Sequence, residues 1–410
     1  MLSGVLLKGS NAQETNTFCD TGPDAITDVF RYDVPQACFE FAGVERCFYT
    51  LVPPCAVGKN VPLVLDNHGF GSCPLWSTFY TGWREKAFDE CFVLVWPLGQ
   101  TDPDISDGPC FAAPGGLEFE DLTSIPCCCD KAAQPFFEPD PVAPDFLRAS
   151  IEGVVDYFNN GEGQDILSID TTRIYMAGHS NGCMASLATA TLHSDIVAAV
   201  CCHAGSMVSP FAEDYNPVPV WMVHGRLDAV LPYDGLDIGA FFGFPGFGFA
   251  SNPEIAKVIA DKNGCSAEIL ETDVKDGDTV VGTSYKYSNC TDGADVELVA
   301  LEQGGHTPYK DIEEDDPGAV TTTIDTTGMA WDFCSSHAKA FPPPTFSSST
   351  PSPIFSSSTP SPTFSSTPSP TSPSGQPDSS SAGNHVPFVS ATIRNLLPTV
   401  SLWVLLLLGN

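Results

Sequence analysis

The stretch Arg173-Ile174-Tyr175-Met176-Ala177-Gly178-His179-Ser180-Asn181-Gly182-Cys183-Met184-Ala185-Ser186-Leu187-Ala188 decides the fold. Its centre, Gly178 to Gly182, fits G-x-S-x-G, the pattern of a sharp strand-to-helix turn that lifts a serine out of a sheet. The two glycines serve where strained backbone and neighbouring elements come close, because a side chain there would clash. In a chain rich in Gly and Ser the pattern alone is weak, so its flanks decide. Residues 173–177 read as a strand entering the turn, and residues 183–188 as a helix leaving it.

A serine hydroxyl is a poor nucleophile until an adjacent base takes its proton, and that base needs a carboxylate to orient it. After such an elbow the partners follow in the order acid, then histidine. The apolar run Val218 to Val223 ends in a loop that carries Asp228, and the run Val296 to Leu301 leads into Gly304-Gly305-His306-Thr307. Loops at strand C-termini are where such side chains belong. Ser180, Asp228 and His306 are therefore the expected catalytic set, with Asp234 as the alternative acid on the same loop. The developing oxyanion needs backbone N–H donors, one from the residue after the nucleophile and one from the loop after an early strand. Asn67-His68-Gly69-Phe70-Gly71 supplies that loop, which assigns the donors to Asn181 and Phe70. His68, His179 and His224 sit beside motif glycines and outside the required order, and read as structural.

These motifs together resemble those of the feruloyl esterase and polyhydroxybutyrate depolymerase group of α/β-hydrolases. The likeness runs over roughly residues 40 to 310. It rests on Asn67-His68-Gly69, the elbow at Ser180, the stretch His224 to Tyr233, Asn263-Gly264-Cys265 and Gly304 to Thr307. The resemblance implies serine-dependent hydrolysis of carboxylic esters without a metal or an organic cofactor. Two departures bear on substrate preference: Cys183 stands where many members have glycine, and Pro308-Tyr309 replaces a common Trp-Pro.

Apolar runs alternate with helix-like segments along the folded part, the pattern of a mostly parallel, doubly wound sheet with helices on both faces. Expected strands are Pro62 to Asp66, Phe92 to Trp96, Arg173 to Ala177, Ile196 to Cys202, Pro219 to Val223 and Val296 to Leu301. Phe146 to Phe158 and Cys183 to His193 carry helical periodicity. A further helix is expected with Asn252 as N-cap, Pro253 in its first position and Gly264 at its end.

The 410 residues carry a net charge of −34 and a pI near 4.2, which sets the surface against nucleic acid and anionic lipid. Sixteen cysteines lie between Cys19 and Cys334. Cys127-Cys128-Cys129 and Cys201-Cys202 lack zinc-ligand spacing, so the reading is a disulfide-stapled extracellular domain with no metal. Cys265 and Cys290 are the first candidate pair.

Residues 1–12 read as the remnant of a secretory signal, with Ser10-Asn11-Ala12 resembling a cleavage site, and residues 13–340 as the catalytic domain. Residues 341–380, with the near-repeat Phe-Ser-Ser-Ser-Thr-Pro-Ser-Pro, read as a disordered, O-glycosylated stalk. Residues 381–410 offer small residues at Ser381-Ala382-Gly383, a polar spacer and an apolar tail of about 13 residues, against the roughly 20 a spanning helix needs. That order matches a GPI-attachment signal, with a single membrane span as the alternative. A C-terminal anchor would be the chain's one membrane contact.

The aromatic, glycine-rich run Phe241 to Phe249 lies between the acid loop and the helix near Asn252. Phe244 and Phe247 would bind an aromatic or apolar acyl group there, or else pack onto the domain. The expected partner is an ester on a plant or algal polysaccharide. A polyester depolymerase and a catalytically silent adhesion module are the other readings.

Overall fold

The computed structural model describes residues 36–69, 72, 74–99, 142–206, 209–237, 248–310, 323–339 and 354–355, all within Met1–Thr359. The remaining residues, including Phe70, Phe244, Phe247, Cys127 to Cys129, the possible signal remnant and the C-terminal tail, lie outside the described residues.

Thirteen strands and six α-helices are present among the described residues. The strands are β1 Gln36–Phe41, β2 Val44–Leu51, β3 Asn60–Asn67, β4 Val93–Pro97, β5 Ser168–His179, β6 Ala199–His203, β7 Val220–Gly225, β8 Leu236–Asp237, β9 Gly248–Phe249, β10 Ile269–Asp276, β11 Thr279–Tyr287, β12 Val296–Leu301 and β13 Ile354–Phe355. The helices are α1 Pro74–Tyr80, α2 Trp83–Glu90, α3 Val142–Asn159, α4 Asn181–Leu192, α5 Asn252–Lys262 and α6 Thr326–Ser335.

Eleven strands form one sheet in the order β10-β11-β12-β7-β6-β5-β3-β4-β2-β1-β13. Its centre, from β12 through β4, is parallel, and antiparallel strands flank it on both sides. Burial on both faces is what turns β3, β4, β6 and β7 into the near-continuous apolar runs seen in the sequence. The edge strand β13 falls in the serine-rich region and pairs Ile354 and Phe355 with Cys38 and Ala37.

Alternate residues of each strand feed two separate cores. On one face Leu63, Met176, Val200 and Met222 pack against α3, α4 and α5 through Leu147, Leu187 and Ile255. On the other face Val64, Tyr175, Cys201 and Trp221 pack against α2 and α6 through Trp83 and Trp331. The sheet is therefore covered by helices on both sides, as the alternating pattern predicts.

Disulfides join Cys38 to Cys47, Cys55 to Cys91, Cys183 to Cys202, Cys201 to Cys334, and Cys265 to Cys290, the pair proposed from sequence. Successive residues of a strand point to opposite faces. Cys202 accordingly reaches α4 on one side of β6 while Cys201 reaches α6 on the other. The middle of the sheet is stapled to both helical layers at one point.

One helix start differs from the sequence expectation. Ser251, not Asn252, caps α5: its hydroxyl accepts from the Glu254 N–H, and the Glu254 carboxylate accepts from the Ser251 N–H in return. Asn252 is the first helical residue, because only Ser251 lies three residues before the glutamate that closes the reciprocal pair.

Candidate active site

Ser180 sits between the end of β5 and the first residue of α4, with φ 53° and ψ −119°. A left-handed φ at a residue with a side chain is strained, and the local packing holds it. The Ser180 N–H donates to the His203 carbonyl at 2.9 Å, pinning the turn to β6. A Cβ on Gly178 would lie 2.5 Å from the Gly182 carbonyl carbon, and one on Gly182 would run into the carbonyls of Asn67 and His68. Both motif glycines are thus required by close approach of β3, β5 and α4. Asn67 reinforces the junction from β3, its Nδ2 donating to the Ala177 carbonyl at 3.2 Å and to Ser186 Oγ at 2.9 Å.

The structure brings the three side chains proposed from the sequence into one hydrogen-bonded row. Ser180 Oγ lies 3.0 Å from His306 Nε2, and His306 Nδ1 lies 2.8 Å from Asp228 Oδ2. Asp228 Oδ1 accepts from the N–H groups of Val230 and Leu231, each at 2.8 Å. Although burial pushes the Asp228 carboxyl upward, hydrogen bonds from His224 and His306, with their charge, hold it well below the usual carboxylate range. An ionised Asp228 fixes the tautomer of His306 with its proton on Nδ1, so that the lone pair of Nε2 faces Ser180 Oγ and can take its proton. Asp234, the alternative acid, is exposed.

The sequence reading set three histidines aside as structural, and the structure puts two of them, His179 and His224, in contact with the site. His68 accepts the Gly99 N–H on Nε2 at 3.0 Å and lies 2.8 Å from the Gly69 carbonyl through Nδ1, tying the start of the loop after β3 to the end of β4. His179 Nε2 lies 2.7 Å from the His306 carbonyl and holds the backbone of that loop. Burial pushes the His179 imidazole down to about 3 and that of His68 to about 4, so both are neutral at ordinary pH. His224, at the end of β7, places Nε2 at 2.9 Å from Asp228 Oδ2 and 2.7 Å from the Leu231 carbonyl. The sequence carried no signal of this contact, which depends on how the loop after β7 curls back.

Behind the His306 loop, Tyr309 stacks on His203 with ring centres 4.3 Å apart and meets Tyr80 and His179 edge-on. This buried tyrosine follows the Pro308 carbonyl that accepts from Thr326, and its ring anchors the loop. Asn181, expected to supply an oxyanion donor, is the first residue of α4, directly after Ser180. Among the described residues no cluster of three or more His, Cys, Asp or Glu could hold a metal ion, and no helix is long and apolar enough to cross a membrane.

No protein-family model matches the chain. Among curated proteins it is similar to a bifunctional acetylxylan esterase/xylanase of Neocallimastix patriciarum, with 24% identity over 263 residues, covering 64% of this chain and 31% of that protein. A protein of Nocardia uniformis subsp. tsuyamanensis named as an esterase is 30% identical over 220 residues, covering 48% of this chain and 58% of the relative. Feruloyl esterase D of Neurospora crassa is 27% identical over 251 residues, 59% of this chain and 75% of that enzyme. The chain thus spans about a third of the bifunctional protein and under two thirds of the Nocardia protein. With the elbow at the head of α4 and the Ser, Asp, His order along the parallel strands, the chain has the architecture of the α/β-hydrolase fold and is similar in sequence to proteins named as acetylxylan and feruloyl esterases.

Proposed function

We propose that this chain is a serine carboxylic ester hydrolase working through an acyl-enzyme on Ser180. The observation that carries the proposal is the row Ser180 Oγ, His306, Asp228 at 3.0 Å and 2.8 Å on a strained elbow. His306 Nε2 takes the hydroxyl proton as Oγ attacks the ester carbonyl carbon. The oxyanion that forms is held by backbone N–H groups, which we assign to Asn181 and Phe70. Collapse breaks the bond to the alcohol, which leaves with the proton that His306 returns. Water then attacks the acyl-enzyme by the same route, regenerating Ser180 and releasing the acid.

The substrate class we assign is acetyl or feruloyl esters of polysaccharide. The names of the Neocallimastix and Neurospora relatives support it. Phe244 and Phe247 are assigned to the acyl-binding side. The disulfides support an extracellular setting, since such bonds persist in oxidising compartments. The C-terminal segment would hold the enzyme at the cell surface.

Purified protein assayed with p-nitrophenyl acetate, methyl ferulate, acetylated xylan and polyhydroxybutyrate tests the proposal. Hydrolysis of the acetyl or feruloyl esters that Ser180→Ala abolishes supports it. Absence of hydrolysis with every ester would overturn it in favour of a silent surface module, and preference for the polyester would overturn the substrate assignment.

A further inference from the structure

Of the fourteen asparagines in the chain, Asn289 alone begins an N-x-[ST] triplet, Asn289-Cys290-Thr291. That triplet is the acceptor for N-linked glycans on secretory proteins. The structure places it in the turn between β11 and β12, with Asn289 and Thr291 exposed. Asn289 has φ 56°, the left-handed conformation that asparagine tolerates better than most residues, and its side chain makes no hydrogen bond among the described residues.

Topology puts this turn at the opposite end of the parallel strands from the elbow. β12 runs parallel to β7, and both deliver the Asp228 and His306 loops at their C-terminal ends. The turn at Asn289 lies at the N-terminal end of β12, one strand length or roughly 20 Å away. A bulky polar group there would meet solvent and leave the site open.

We infer that Asn289 is a glycan attachment site, modified in the secretory pathway before the domain closes. In the reaction, Asn289 Nδ2 bonds to the anomeric carbon of a lipid-linked oligosaccharide. The bond from that carbon to the lipid pyrophosphate breaks, the pyrophosphate leaves with the electron pair, and the amide proton goes to a base of the transferase. The order of events follows from the folded turn, whose flanks are tied down. Cys290 is bonded to Cys265, 25 residues upstream. Thr291 N–H donates to the Asn263 carbonyl at 2.8 Å, and Ser266 N–H to the Ser288 carbonyl at 3.0 Å. A triplet fixed at its middle residue cannot rearrange in an enzyme's active site. Glycan transfer therefore competes with closure of the Cys265–Cys290 loop, and occupancy records which step is faster.

The test is to pass the full chain through the secretory pathway of a eukaryotic cell and map its peptides, scoring molecules whose Cys38–Cys47 bond has formed and which have therefore reached an oxidising lumen. The expected result is a glycan on Asn289 that peptide-N-glycosidase removes, converting the residue to aspartate. It is lost in Asn289→Gln and Thr291→Val, retained in Thr291→Ser, and at least as abundant in Cys265→Ser as in the parent. Modification seen in Cys265→Ser alone would overturn the inference for the native chain, with loop closure winning there. Unmodified Asn289 in both the parent and Cys265→Ser would overturn it. The mass readout is independent of whether the protein hydrolyses esters.

Discussion

His224 and His306 share one carboxylate oxygen: their Nε2 and Nδ1 atoms lie 2.9 Å and 2.8 Å from Asp228 Oδ2. With two backbone N–H groups on Oδ1, the carboxylate is ringed by donors on every side. Such a group is oriented before any substrate arrives, which is how a buried acid can hold an imidazole in one tautomer. His224 also means that Asp228 does not offer its full charge to His306.

Removal of the His224 donor is expected to have two effects with opposite signs. His224→Leu loosens the carboxylate and should lower kcat by about 10- to 100-fold, by analogy with the loss of groups that orient metal-binding side chains. It also leaves more of the Asp228 charge to His306, stabilising the imidazolium and moving the acid limb of kcat/KM to higher pH. The other groups facing this pair are Ser180 and His179, the latter held neutral by burial. His224→Gln, which restores an N–H at similar reach, should recover most of the rate and the original limb. Identical pH profiles for the parent, Leu and Gln forms would show that His224 only fills space.

Asp66 predicts a pH-dependent stability that has nothing to do with the nucleophile. Burial pushes its carboxyl up to about 7, against the hydrogen bonds from Thr81 and Trp96. A raised folded-state value means that the stabilisation is full below the unfolded value of 3.8 and is lost as pH rises through about 7. Asp66→Asn, neutral at every pH, should therefore gain on the parent by a few kcal/mol in unfolding free energy from urea titrations as pH rises from about 4 to about 8. A constant difference across that range would mean that Asp66 is ionised in the folded protein.

The two disulfides at β6 should separate rigidity of the elbow from stability of the domain. Cys183 is the third residue of α4 and its bond to Cys202 spans 19 residues, whereas Cys201 to Cys334 spans 133. Loop-closure entropy assigns about 3 and about 5 kcal/mol to the two. Cys201→Ala with Cys334→Ala should cost the larger drop in Tm with kcat preserved. Cys183→Ala with Cys202→Ala should cost less in Tm and more in kcat, because it frees the helix start that carries Ser180. The reverse pattern would show that the elbow is held by its glycines alone.

Gly182→Ala examines that last point. The new methyl would meet backbone carbonyls of Asn67 and His68, which cannot swing aside as a flexible side chain can. The variant should lose several kcal/mol of stability, the usual range for a backbone clash in a packed core. A thermal midpoint equal to that of the parent would mean that β3 and α4 separate more readily than their packing suggests.

Where both faces of a strand are buried, its residues had to be apolar, and β3, β4, β7 and β12 were legible for that reason. β10 was not: seven of its eight residues, Ile269–Asp276 apart from Val274, are exposed, and only pairing with β11 makes it a strand. The β1–β2 hairpin mixes Cys, Glu and Arg with its apolar residues and carried no clear period. Ser180, Asp228 and His306 were legible because chain order and strand ends constrain them. His224 was not, since its contact with Asp228 arises only when the loop returns to place Leu231 beneath it.

The central claim is that Ser180 attacks. Rapid mixing of the protein with p-nitrophenyl acetate, followed by intact-mass and peptide analysis, should trap an acetyl group on Ser180. The Ser180→Ala form should show no adduct and a kcat lower by about 10⁴- to 10⁶-fold. An adduct on another residue, or a loss below about tenfold in Ser180→Ala, would contradict the account.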